Sequence, residues 1–195
     1  KPMQSLLTDF RSQLIKLLNT PSGISEIGVT AARRLAKNLD QGTPTYGNTG
    51  TINPFSDEMG FLNANSEASR SNGHELFCSF AAISNALPWY KHSEPDTPNF
   101  DNGHANAEII GPKGVQVRDD IRVGATLMRP GLTYPDHHHL PEEVYIVLSE
   151  GLWRQNNEPW WSPGLGGYVY NPPDILHAMK SVETPLCAIW CMNVA

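Results

Sequence analysis

From residue 107 onward the chain is a run of short β-type segments that never settles into a helical period. The runs are Ala107–Ile110, Val115–Val117, Ile121–Leu127, Glu143–Leu148, Gly167–Tyr170 and Leu186–Met192. Turn signals punctuate them: Gly111-Pro112, Pro130-Gly131, Gly151, Pro163-Gly164 and Asn171-Pro172-Pro173. Strands at that spacing predict an antiparallel sandwich or barrel. The first half reads differently. Leu6, Phe10, Leu14 and Leu17/Leu18 recur at helical spacing, and Ile24, Ile27, Ala31, Leu35 and Leu39 form a second series with Thr20-Pro21 as its start signal. Leu76, Phe80, Ile83 and Leu87 predict a third helix that ends at Pro88. Between the second and third helices, Gln41–Gly73 is rich in Gly, Asn, Ser and Thr and holds neither period. A loop this long is expected to be a lid over a site or a surface excursion. The reading is therefore a helical N-terminal subdomain over residues 1–95, with the long loop 41–73, followed by a β-barrel over 96–195.

Composition closes off several classes. At 195 residues the chain has room for one full-sized core, or a core with a helical annex. Twenty acidic against 14 basic side chains, with no basic cluster beyond Arg33-Arg34, give nothing to draw a polyphosphate backbone, so nucleic acid is not an expected partner. No apolar run approaches the ~20 residues of a membrane span, and no secretory leader is legible at the N-terminus. The expectation is a soluble cytoplasmic protein without a membrane partner. Cys78, Cys187 and Cys191 make neither a C-x-x-C nor an even set, and all three are read as buried thiols.

The chemistry concentrates in one stretch, Gly131 to Tyr145. Side chains alternate along a strand, so the odd-numbered His137, His139, Glu143 and Tyr145 are expected on one face and His138 on the other. His177 follows the Pro172-Pro173 turn. Imidazoles and a carboxylate on a β scaffold suit one divalent transition metal, with Zn, Fe, Mn, Co and Ni all compatible.

The spacing resembles the two cupin motifs. Gly131, His137-x-His139 and Glu143 match the first; Gly166, Pro172-x-Asp174 and His177 match the second. Gly151 closes the first motif one residue late, Asp174 stands at a glycine position, and Ser181 replaces a trailing asparagine. The resemblance implies a mainly β fold, a cupin double-stranded antiparallel β-barrel, behind the helical N-terminal annex. The His-x-Leu-Pro-Glu-Glu-Val-Tyr run, with Tyr134 ahead of the histidines, is further similar to the cupin-type dimethylsulfoniopropionate lyases of the DddQ group. That resemblance implies a metal held by His139, Glu143, Tyr145 and His177, with His137 beside it. It also implies a small zwitterionic sulfonium substrate, cleaved to dimethyl sulfide and acrylate.

Elementary chemistry reaches the same requirements. A β-sulfonium carboxylate already carries an activated leaving group, so elimination needs only a base for the α-proton and an electrophile for the carboxylate. A phenol with a pKa of ~10 serves as that base only where a cation lowers it. Tyr145 is the first candidate and Tyr134 the second. The sulfonium calls for an aromatic wall, to which His137, Tyr134 and Trp190 are assigned as substrate-binding groups. Trp160-Trp161 fit a packing or homodimer patch equally well. The competing readings are a mononuclear iron dioxygenase, a non-catalytic ligand-binding cupin and a sugar isomerase. Against the first stands Tyr145, which would fill the position that oxygen needs.

Overall fold

Alternation along the long strands decides which residues face the helices and which face the barrel interior. The structure, a computed structural model, describes residues 1–65, 71–92 and 97–194. In chain order come α1 (Met3–Asn19), α2 (Glu26–Leu39), α3 (Ser56–Ala64), α4 (His74–Ile83), β1 (Trp89–Tyr90) and α5 (Pro98–Gly103). Nine further strands follow: β2 (His104–Gly111), β3 (Gln116–Val117), β4 (Ile121–Met128), β5 (Thr133–His137), β6 (Glu143–Val147), β7 (Leu152–Gln155), β8 (Tyr168–Asn171), β9 (His177–Lys180) and β10 (Leu186–Asn193). One sheet has the order β1-β2-β4-β10-β6-β8, with β3 attached to β2 in parallel, and a second has the order β5-β9-β7. Every other pairing is antiparallel. This is the mainly β cupin barrel with a helical N-terminal annex that the motifs predict.

Two cores lie on the two faces of the large sheet. Val123, Ala125 and Leu127 of β4, Val144 and Ile146 of β6, and Cys187, Ile189 and Cys191 of β10 pack outward against Phe10, Leu14, Leu35 and Phe80 of the helices. The alternate residues, among them Tyr145, Val147, Ala188, Trp190 and Met192, turn inward toward Tyr134, Trp153 and Met179 of the small sheet. Burying one side chain such as Phe10 fully is worth ~1.5–3 kcal/mol, so the helical annex is an integral cover for the sheet. Arg118 ties the two together. Its Nη1 donates to the carbonyls of Asn38 and Gln41 at 3.0 and 3.1 Å, while Nη2 pairs with Asp120 at 2.7 Å.

Several expectations shift. The second helix starts at Glu26, where the Ser25 hydroxyl accepts the Gly28 N–H at 3.2 Å as an N-cap. Ile27 consequently falls on the outer face and is 69% exposed, outside the apolar stripe. The 41–73 loop contains α3, whose buried Met59 and Leu62 are too few to register as a period; residues 66–70 of that loop and the 95/96 boundary lie outside the described residues. Cys78 is exposed, while Cys187 and Cys191 are buried as expected.

Candidate metal centre

His139, Glu143 and His177 bring one ligand atom each to within 4.8 Å of one another. Nε2 of His139 lies 3.0 Å and Nε2 of His177 3.3 Å from the same Glu143 oxygen, Oε2. The opposite ring nitrogen explains the aim. Nδ1 of His139 holds the Pro141 carbonyl at 2.9 Å, Nδ1 of His177 the Ile175 carbonyl at 2.8 Å, and Nδ1 of His137 the Pro135 carbonyl at 2.7 Å. A carbonyl only accepts, so Nδ1 carries the proton and Nε2 of the neutral ring offers a lone pair.

Lone pairs aimed at a carboxylate oxygen call for a cation between them. His177 Nε2 is buried and has no hydrogen-bond partner, its contact with Glu143 lacking the alignment of one. Ligand atoms ~2.0–2.1 Å from a tetrahedral ion lie roughly 3.3 Å apart, close to the 3.0 and 3.3 Å contacts that the two imidazoles make with Glu143 Oε2. The donor set therefore fits a divalent transition metal, and the backbone carbonyls on each Nδ1 are the orienting partners such a site requires. Burial alone would raise the Glu143 carboxyl, but hydrogen bonds and charge from His139 and His177 outweigh it and hold it down to about 2; burial lowers His139, and that same carboxylate outweighs it and raises the ring, a positive pole that a bound metal would supply instead. Burial, followed by the neighbouring His177, lowers His137 to about 4, so His137 is neutral at physiological pH.

The odd-numbered residues do meet, although not along a single strand. Strand β5 stops at His137, the chain turns at Leu140-Pro141 with Leu140 76% exposed, and β6 begins at Glu143. His139 and Glu143 thus converge across a turn whose Pro141 carbonyl also orients His139. His177 arrives from β9, directly opposite His137 in register, with the two ring centroids 4.1 Å apart. His138 turns outward to an exposed pairing with Asp174 at 2.7 Å.

A cavity of about 560 Å³ opens onto His139 and Glu143 of this group, and Tyr134, Tyr145, His137 and Trp190 also line it. Burial, and the Glu143 carboxylate beside it, push the Tyr145 phenol well above its ordinary value. Tyr134 is wedged edge-on against Phe100 and His104, with centroids 4.6 and 5.4 Å away, and accepts a hydrogen bond from Asn106 Nδ2 at 3.4 Å. Asn106 is fixed in turn by the Thr126 hydroxyl at 2.5 Å. Among the described residues, none from the 41–73 loop lines this cavity; Tyr90 and His92 reach it instead. Sequence reasoning missed Asn106, Thr126, Arg122 and Tyr90. The available signal was polar residues at every second place of buried strands, His104, Asn106 and Glu108 against Ala105, Ala107 and Ile109.

Comparison with known proteins bears on this arrangement directly. The family profile of dimethylsulfoniopropionate lyases matches residues 29–188. The chain belongs to that family. Among curated members it is 28% identical over 110 residues to a candidate dimethylsulfoniopropionate lyase, DddL of Cereibacter sphaeroides, and 30% identical over 82 residues to the dimethylsulfoniopropionate lyase DddQ of Ruegeria pomeroyi. The matched stretches are 56% and 42% of this chain and 46% and 41% of those relatives, so the chain spans less than half the length of either. Among solved structures of family members, a chain from the crystal structures of the lyases RdDddP and RnDddQII superposes with a TM-score of 0.72 at 20% identity, covering 98% of this chain and 94% of that one. DddQ from Ruegeria pomeroyi superposes with a TM-score of 0.67 at 20% identity, covering 94% and 92%. These likenesses establish the fold, helical annex included.

Proposed function

We propose that the protein is a metal-dependent carbon–sulfur lyase that cleaves dimethylsulfoniopropionate by β-elimination, with Tyr145 as general base. What supports the reading most is a single cavity lined by both phenols and by His139 and Glu143, with His177 Nε2 3.3 Å from that same carboxylate. Tyr145 lies on the inner face of β6, two residues beyond Glu143, where its phenol stays protonated until positive charge is set beside it. A divalent metal held by His139, Glu143, Tyr145 and His177, with His137 beside it, would supply that charge and withdraw electron density from the substrate carboxylate. Tyr145 Oη then takes the α-proton. The Cα–H electrons form the new double bond and the Cβ–S pair departs on sulfur, giving dimethyl sulfide, acrylate and a protonated Tyr145. The leaving group is neutral, so no acid is required. Tyr134, oriented by Asn106, offers its ring to the sulfonium and is the alternative base.

Two single-oxygen deletions test the roles. Tyr145→Phe should lower kcat by about 10²–10⁴ while metal content and KM hold, and Tyr134→Phe should cost less. A deeper collapse in Tyr134→Phe would exchange the assignments. Near-wild-type elimination in both variants would refute a phenolate base.

A further inference from the structure

The cavity has a second charged pole that the elimination chemistry does not use. Arg122, on β4, lines it and lies over the Trp190 ring at 5.4 Å from the centroid. Its Nε is held by Glu108 at 2.5 Å, and Tyr90 lines the same cavity beside it. Glu108 is itself locked in place. Its side chain is 4% exposed, and its second oxygen accepts the Lys113 backbone N–H at 2.6 Å. A β-bulge between Glu108 and Ile110 re-aims the strand, and a side chain at Gly111 would strike the Glu108 carboxylate at 2.7 Å. So much local structure spent on one arginine points to a guanidinium held for a ligand.

Its place relative to the metal group fixes the kind of ligand. Arg122 stands opposite Met192 on β10, and Trp190 on that strand stands opposite Tyr145 on β6. Two strand spacings separate the poles, roughly 10 Å of backbone, which the long arginine side chain narrows. A guanidinium attracts carboxylate and repels sulfonium.

We propose that Arg122, positioned by Glu108, is a specificity-determining residue that engages the oxygen of the ligand's carboxylate turned away from the metal group and forces the cationic end toward Tyr134. The identity of the cationic end rests on the lyase reading; the carboxylate anchor does not. The test uses metal-loaded protein titrated calorimetrically with propionate, which lacks the cation, and with trimethylsulfonium, which lacks the carboxylate. Arg122→Gln should weaken propionate at least tenfold. It should also raise KM for dimethylsulfoniopropionate by a similar factor with a smaller change in kcat, and leave trimethylsulfonium unchanged or tighter. Arg122→Lys should recover part of the propionate binding. The pair Glu108→Gln with Arg122→Gln leaves no lone buried charge, so it should fold even where the single variant does not, and should show the same propionate loss. Unaltered propionate affinity in that pair, or an equal loss of trimethylsulfonium, overturns the proposal. Arg122-dependent propionate binding in a wild-type protein that releases no dimethyl sulfide would sink the lyase reading and sustain the anchor.

Discussion

His137, His139 and His177 are separated from His138 by what Nδ1 holds. The first three grip backbone carbonyls and leave Nε2 to offer a lone pair, whereas His138 grips the exposed Asp174 carboxylate. Replacing His139, Glu143 or His177 by Ala should therefore abolish metal retention on elemental analysis of purified protein, and His138→Ala should retain full metal content. Loss of metal in His138→Ala would contradict the assignment. At this scale the site was legible because ligand chemistry resides in residue types, and the family-like spacing supplied the partner from the distant strand. The departure at Asp174 proves benign for a physical reason. Its φ of 61° is left-handed, which explains the glycine expected there, and aspartate is among the few side chains that tolerate it. Arg122 was invisible because a lone arginine in an apolar strand looks like a surface residue until its partner Glu108 is seen.

Besides the two-residue β1, three strands escaped the pattern, and they are the three of the small sheet. Residues Thr133–His137 and Leu152–Gln155 are half exposed, His177–Lys180 is mostly buried, and the three carry Pro, His, Gln and Lys, so they lack the apolar runs that betray β2, β4, β6 and β10. The large sheet is buried on both faces, and its continuous hydrophobicity made it readable. Gly124 is the element-scale device that shapes the interior. A Cβ there would fall 2.1 Å from Trp190 Cζ2 and 2.3 Å from the Ala107 carbonyl oxygen, so only glycine lets the indole lie across β4. Gly124→Ala should destabilise the fold by ~1–3 kcal/mol in denaturant titration and shift the tryptophan emission; an unchanged midpoint would mean that the ring has room to move. The link between α2 and the barrel is pH-sensitive. Hydrogen bonds from Arg118 dominate at Asp120 and hold its carboxyl below its ordinary value. The support this gives is full above the ordinary carboxylate pKa of ~3.9 and fades as pH falls through the lowered one. Arg118→Met should remove it, so the variant's midpoint should fall less than wild type's on acidification.

The whole molecule joins a helix-covered sheet to a polar cavity, and a metal bound there would link the cavity to global stability. A metal that binds only the folded chain adds ~2.7 kcal/mol at a hundredfold excess over Kd, or about 5–10 °C in Tm for a chain of this size. Chelation should erase that gain. Acidification should erode it too, because protons compete with the metal for its ligands. A Tm indifferent to chelator, in protein first shown to hold metal, would contradict this coupling. Among the described residues no helix is long and apolar enough to cross a membrane. The measurement that tests the central claim most directly is an anaerobic assay of metal-loaded protein on dimethylsulfoniopropionate, with dimethyl sulfide followed in the gas phase and acrylate in solution. The account predicts both products in equal amounts without oxygen and their loss on chelation. No dimethyl sulfide from metal-loaded protein, or turnover only when oxygen is admitted, would contradict it.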